Sequence, residues 1–212
     1  MKIIKLTVFI LLLSFWGCAS YQAKYADAKA PKTVQIQKEL AHSYYLIGDA
    51  GNADLGENLL TLEYFQKDLE TASKNSTTLF LGDNIYPVGM PKKESMERVL
   101  AEHRLQIQID VVKNYKGKPI FIPGNHDWYN GLKGLKRQEK MIEKTLGKKS
   151  FLPENGCGLK KVNISDDLTL IIIDSKWFIT DWNNHPTINE DCDIKTRERF
   201  LDELWGLFKK NR

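Results

Sequence analysis

Three short apolar runs, each halted by a glycine and then a small oxygen-bearing side chain, limit what this chain can fold into. His42–Ile47 stops at Gly48–Asp49, Thr77–Leu81 at Gly82–Asp83–Asn84, and Pro119–Pro123 at Gly124–Asn125–His126–Asp127. Apolar runs of this length, rich in β-branched and aromatic residues and bounded by turn formers, read as strands. Between them lie longer stretches with helical spacing. Asn58–Ala72 sets Leu59, Leu62, Phe65 and Leu69 on one stripe, and Met96–Val112 carries Val99, Leu100, Ile107 and Val111. Alternation of strand and helix predicts an α/β fold, a layered β-sheet flanked by helices. In such sheets ligands bind beyond the carboxyl ends of the strands. Asp49, Asp83 and Asn125 therefore fall on one side of the domain.

The remainder of the chain continues the pattern. Gly134–Leu146 reads as a third helix closed by Gly147. Leu159–Ile164 and Leu168–Ile173 read as a hairpin turning through Ser165–Asp166–Asp167, and Ile194–Lys209 as a helix burying Phe200, Leu201, Leu204, Leu207 and Phe208. A length of 212 residues suits one domain, here residues 41–212. The net charge of +4 is too small and too scattered to indicate a nucleic-acid partner. Lys-rich stretches at 113–118 and 133–149 read as solvated faces.

Two carboxylates, an amide oxygen and an imidazole gathered beyond one sheet are suited to hard or borderline cations. Without a cation, like charges so placed would raise one another's energy. The order Gly-Asp, then Gly-Asp-Asn, then Gly-Asn-His-Asp resembles the calcineurin-like metallophosphoesterase family. Most of that family has Asp-x-His first, where this chain has Asp49–Ala50–Gly51. Its second motif, Gly82–Asp83–Asn84–Ile85–Tyr86, is similar to the Gly-Asp-x-x-Tyr of the purple acid phosphatase branch, in which a tyrosine replaces that histidine. The resemblance implies a phosphomonoesterase holding two metal ions. Asp49 and Tyr86 would bind the first, Asp83 would bridge both, and Asn125 would bind the second. His126 would be the acid beside the leaving group. It further implies Fe(III) at the phenolate position and a divalent Fe, Zn or Mn beside it, with a hydroxide held by the metals attacking phosphorus. A phosphodiesterase or nuclease of the same superfamily and a non-catalytic surface lipoprotein are the alternatives.

The family completes its site with three histidines that would fall after Arg212, so the chain is expected to be the front part of the domain, incomplete at the C-terminus and weakly active alone. Of the other histidines, His42 and His103 read as surface residues, while His185 lies in a loop on the site's side and could approach it. Asp174 and Trp177 read as a helix cap and a core residue, or as lining of the substrate mouth.

Residues 1–18 combine Lys2 and Lys5 with the apolar run Leu6–Leu13 and end at Gly17–Cys18. The run is too short to span a bilayer and reads as an export signal. Gly17–Cys18 resembles the lipobox of bacterial lipoproteins, with Cys18 as the lipidated residue; a plain N-terminal membrane anchor is the other reading. Residues 19–40 read as a tether. The protein is thus expected outside the cytoplasm, attached to the membrane. Of three cysteines, Cys157 and Cys192 remain, and one even pair in an exported protein predicts a disulfide.

Overall fold

The computed structural model describes residues 40–180 and 191–210. Residues 1–18, read as an export signal and including Cys18, nearly all of the stretch read as a tether, and His185 lie outside the described residues. Among the described residues no helix is long and apolar enough to cross a membrane.

The chain forms the mixed α/β architecture expected of it. Strands β1 (Ser43–Ile47), β2 (Ser76–Phe80) and β3 (Lys118–Phe121) make a parallel sheet in chain order. Parallel neighbours require a crossover, supplied by helices α1 (Leu60–Glu70) and α2 (Arg98–Val112). Ile47 pairs in register with Phe80, and Phe80 with Phe121, so the three strands end on one line. That register, rather than any single loop, delivers Asp49, Asp83 and Asn125 to the same edge.

Successive strand residues face opposite sides, and both sides of β2 are buried. On one side Phe80 and Phe121 stack at 4.0 Å, with Phe65 of α1 edge-on to Phe80 at 6.1 Å. Leu105 and Ile109 of α2 and Leu135 and Ile142 of α3 (Gly131–Leu146) complete that core. Each such side chain contributes roughly 1.5–3 kcal/mol by leaving water. On the other side Leu79 and Ile120 meet Leu152, Val162 and Ile172, the last two from the antiparallel hairpin β4 (Leu159–Asn163) and β5 (Thr169–Ile173). The free edge of β3 is met by Phe151: Phe121 N–H donates to Ser150 O and Leu152 N–H to Phe121 O, both at 2.8 Å.

Some details differ from expectation. In α2 the buried apolar residues are Ala101, Leu105, Ile109, Val111 and Val112, so that Val111 is buried as expected, whereas Val99 is exposed. Arg104 and Gln108 share the inward face because they serve loop carbonyls, which a reading of apolar spacing passes over. A short helix α4 (Ser175–Ile179) follows β5 without a helical stripe to announce it, and α5 spans Arg197–Lys210. In α5 Phe200 is buried against Trp177 and Leu204 packs on the core, but Leu201 and Phe208 are exposed. The five apolar residues cover more of the helix circumference than the core contacts.

Candidate metal centre

Beyond the aligned strand ends, two loops touch backbone to backbone. Asp49 N–H donates to Gly82 O at 3.2 Å and Tyr86 N–H to Gly51 O at 2.9 Å. Gly82, at φ +107°, lies so close to Gly124 that a Cβ on it would come within 2.6 Å of the Gly124 backbone. A Cβ on Gly124 would collide with the Asp83 carboxylate itself. Glycine at 82 is thus a matter of space as well as of dihedral freedom, and glycine at 124 is a matter of space. Asp49 (φ 57°) and Asp83 (φ 53°) both adopt the left-handed region, tolerated by aspartate at a cost on the order of 1 kcal/mol each.

Strained backbone needs surrounding bonds to hold it, and a fully buried carboxylate provides them. Asp127 accepts from Gly124 N (2.8 Å), Asn84 N (3.1 Å), Ile85 N (3.1 Å) and Asn84 Nδ2 (3.2 Å). Arg104 donates to Ala53 O (2.6 Å) and Tyr86 O (2.7 Å), and Gln108 donates to Asn84 O (2.7 Å). Burial raises the Asp127 carboxyl to about 6 even though those N–H donors oppose the shift. The strand-end motifs and the apolar spacing alone assign no role to Asp127, Asn84, Arg104 or Gln108. Arg104 and Gln108 could have been found as polar residues four apart on the apolar face of α2.

At the surface of this frame the tyrosine hydroxyl closes a cluster of oxygens. Tyr86 lies within hydrogen-bond distance of both carboxylates, 2.5 Å from Asp49 Oδ1 and 2.8 Å from Asp83 Oδ2. Its single proton serves one at a time. The bond with Asp49, then burial and the bond with Asp83, raise the Tyr86 hydroxyl well above the usual range. The other Asp83 oxygen accepts from His126 N–H at 3.0 Å. The structure therefore joins Asp49, Asp83 and Tyr86 directly and brings in Asn125 and His126 through the His126 backbone. The His126 ring lies 4.3 Å from that of Tyr86, and its Nδ1 is 2.6 Å from Pro87 O. A carbonyl only accepts, so Nδ1 carries the proton and Nε2 is the free nitrogen. Asn125 Nδ2 donates to Tyr129 Oη at 2.9 Å.

Among the described residues no three His, Cys, Asp or Glu side chains cluster closely enough to hold an ion. The convergent set instead consists of two carboxylates and a phenol, packed so closely that the phenol proton is within reach of either carboxylate. Hard oxygen donors of this kind fit a strongly acidic cation, which would displace that proton.

The other singled-out residues lie elsewhere. His42 stands at the opposite end of β1, its Nε2 3.0 Å from Thr77 Oγ1, and His103 Nε2 is 3.1 Å from Glu57 O. Asp174 and Trp177 take the cap and core roles: Asp174 accepts from Trp177 N–H at 2.9 Å and from Trp128 Nε1 at 2.7 Å, and Trp177 is fully buried. Cys157 and Cys192 are bonded, with their Cα atoms 5.5 Å apart. The cavity of about 580 Å³ beside that disulfide is lined by charges that pair with one another, such as Lys160 with Glu154 and Lys148 with Glu143.

No curated protein and no solved structure matches this chain significantly. A family model described as calcineurin-like phosphoesterase matches residues 44–211, nearly the whole of the described domain. With a parallel sheet that delivers Gly-Asp, Gly-Asp-Asn and Gly-Asn-His-Asp to one edge, the chain belongs to the calcineurin-like phosphoesterases, metal-dependent hydrolases of phosphate esters.

Proposed function

We propose that this protein is an exported, lipid-anchored phosphomonoesterase of the purple acid phosphatase type, resting on the Tyr86 hydroxyl lying within hydrogen-bond reach of both Asp49 and Asp83. Asp49, Tyr86 and Asp83 would hold Fe(III), and Asp83 with Asn125 would hold a divalent Fe, Zn or Mn. When bound, the pair would polarise the phosphoryl oxygens and acidify a water between them.

The chain's own residues do the rest. Asp83 Oδ1 is held by His126 N–H at 3.0 Å, a bond that loss of the Tyr86 proton leaves in place, so the carboxylate keeps its direction when the phenol ionises. With Nδ1 committed to Pro87 O, a protonated His126 can surrender a proton only from Nε2, directed to the departing alkoxide. Among the described residues the first position has three donors and the second two, one fewer than catalytic sites usually keep. Of the two positions, the second therefore has the fewer protein donors among the described residues.

The purified chain loaded with Fe(III) and Zn(II) is expected to show phenolate-to-iron colour and slow hydrolysis of 4-nitrophenyl phosphate. Tyr86→Phe should abolish the colour. His126→Ala should keep it while slowing hydrolysis by roughly 10²–10⁴-fold. Iron uptake without colour in the unaltered chain would sink the assignment of Tyr86.

A further inference from the structure

Tyr129 is half-exposed, at 53%, and is nevertheless engaged at both ring and hydroxyl. Its ring lies 4.9 Å from that of His126 and its hydroxyl accepts from Asn125 Nδ2 at 2.9 Å. It closes the short 3-10 turn His126–Trp128, its own N–H donating to His126 O at 3.2 Å, so its backbone is set by the loop that carries Asn125. A planar amide bound at its nitrogen presents its oxygen on the other side. A carboxamide binds cations through oxygen only, and an unrestrained one spends part of its time the wrong way round.

We propose that Tyr129 is a positioning residue: its hydroxyl takes the donor end of the Asn125 amide and thereby turns Oδ1 toward the second cation. This rests on the metal-centre reading above. Outer partners that orient a ligand in this way typically alter metal affinity by about 10–100-fold. Because Asn125 is one of only two donors expected at its position, that position should feel the loss of orientation. Phenylalanine at 129 retains the ring beside His126 and removes only the hydroxyl, which separates orientation from packing.

The test is Mn(II) uptake by the metal-stripped full chain, with free ion read from its electron paramagnetic resonance signal. The unaltered chain should bind in two steps, both abolished by Asp83→Asn. Tyr129→Phe should weaken only the weaker step, by roughly tenfold, with the thermal midpoint of the metal-free protein unchanged. Asn125→Ala should weaken the same step at least as much, and adding Tyr129→Phe to it should change nothing further. Equal uptake by Tyr129→Phe and the unaltered chain, or an undiminished Tyr129→Phe effect in the Asn125→Ala background, overturns the role of Tyr129 alone. If the unaltered chain takes up no Mn(II), the metal-centre reading itself fails and the inference with it.

Discussion

The strand-tip loops and the hairpin with the helices that follow it are held by different physics. At the tips, two aspartates in left-handed backbone are tied by buried polar groups: Asp127, Asn84, Arg104 and Gln108 share the backbone donors and acceptors of three loops. By contrast, β4, β5, α4 and α5 are held by one disulfide, the Trp177–Phe200 stack and the bonds of Asp174. There Ile173, Leu201, Trp205 and Phe208 remain exposed. A site that must present charged oxygens together cannot rely on apolar packing, so it is built on directional bonds. A hairpin and helix that only cover a sheet can rely on area and a covalent tie.

The largest effect separating the two regions is expected at Asp127. Asp127→Ala leaves the Gly124, Asn84 and Ile85 N–H groups without their acceptor, while Asn84 Nδ2 keeps Ile122 O, and a loss of about 3–5 kcal/mol is expected in denaturant unfolding. A loss below about 1 kcal/mol would show that the tips do not depend on this carboxylate. Next is the Cys157→Ala, Cys192→Ala pair. Opening a tie across 35 residues should cost about 3–4 kcal/mol through the unfolded chain's regained freedom. Hydrogen exchange should then quicken in β4 and α5 before it does at the tips; quickening first at the tips would erase the distinction between the regions.

The smallest effect concerns the bond joining the two regions, from Trp128 Nε1 to Asp174. Asp174→Asn leaves one of two N–H donors without an acceptor, at a cost of about 1–3 kcal/mol. It should also change the pH profile. Burial, opposed by the Trp177 and Trp128 donors and aided by the Asp127 charge, raises the Asp174 carboxyl from 3.8 to about 7. The fold then favours the protonated acid. That contribution is complete below about pH 4 and is lost as pH rises through about 7. The thermal midpoint of the unaltered protein should thus fall relative to Asp174→Asn between those limits; parallel profiles would mean that Asp174 stays ionised throughout.

The comparison also shows what the amino-acid sequence made legible. The order of strands and helices and the motifs at the strand ends were readable because strand length, turn chemistry and apolar spacing are local properties. So was the concordance of Asp49–Ala50–Gly51 with Tyr86, since a histidine absent from one motif and a tyrosine present in another are both visible in the chain. Short or mixed features were not. Helix α4 is too brief for periodicity, and the inward face of α2 is part polar.

By itself, then, the sequence determined an α/β layering and the residues at its strand ends, because each of those signals is carried by neighbours in the chain. Only the tertiary structure decided that Asp49 and Asp83 meet across one phenol, that Asp127 is a fastening rather than a ligand, and that Asp174 caps and links rather than lines a mouth. Those outcomes depend on strand register and on which buried donors lack a partner, and both are settled only when distant segments pack together.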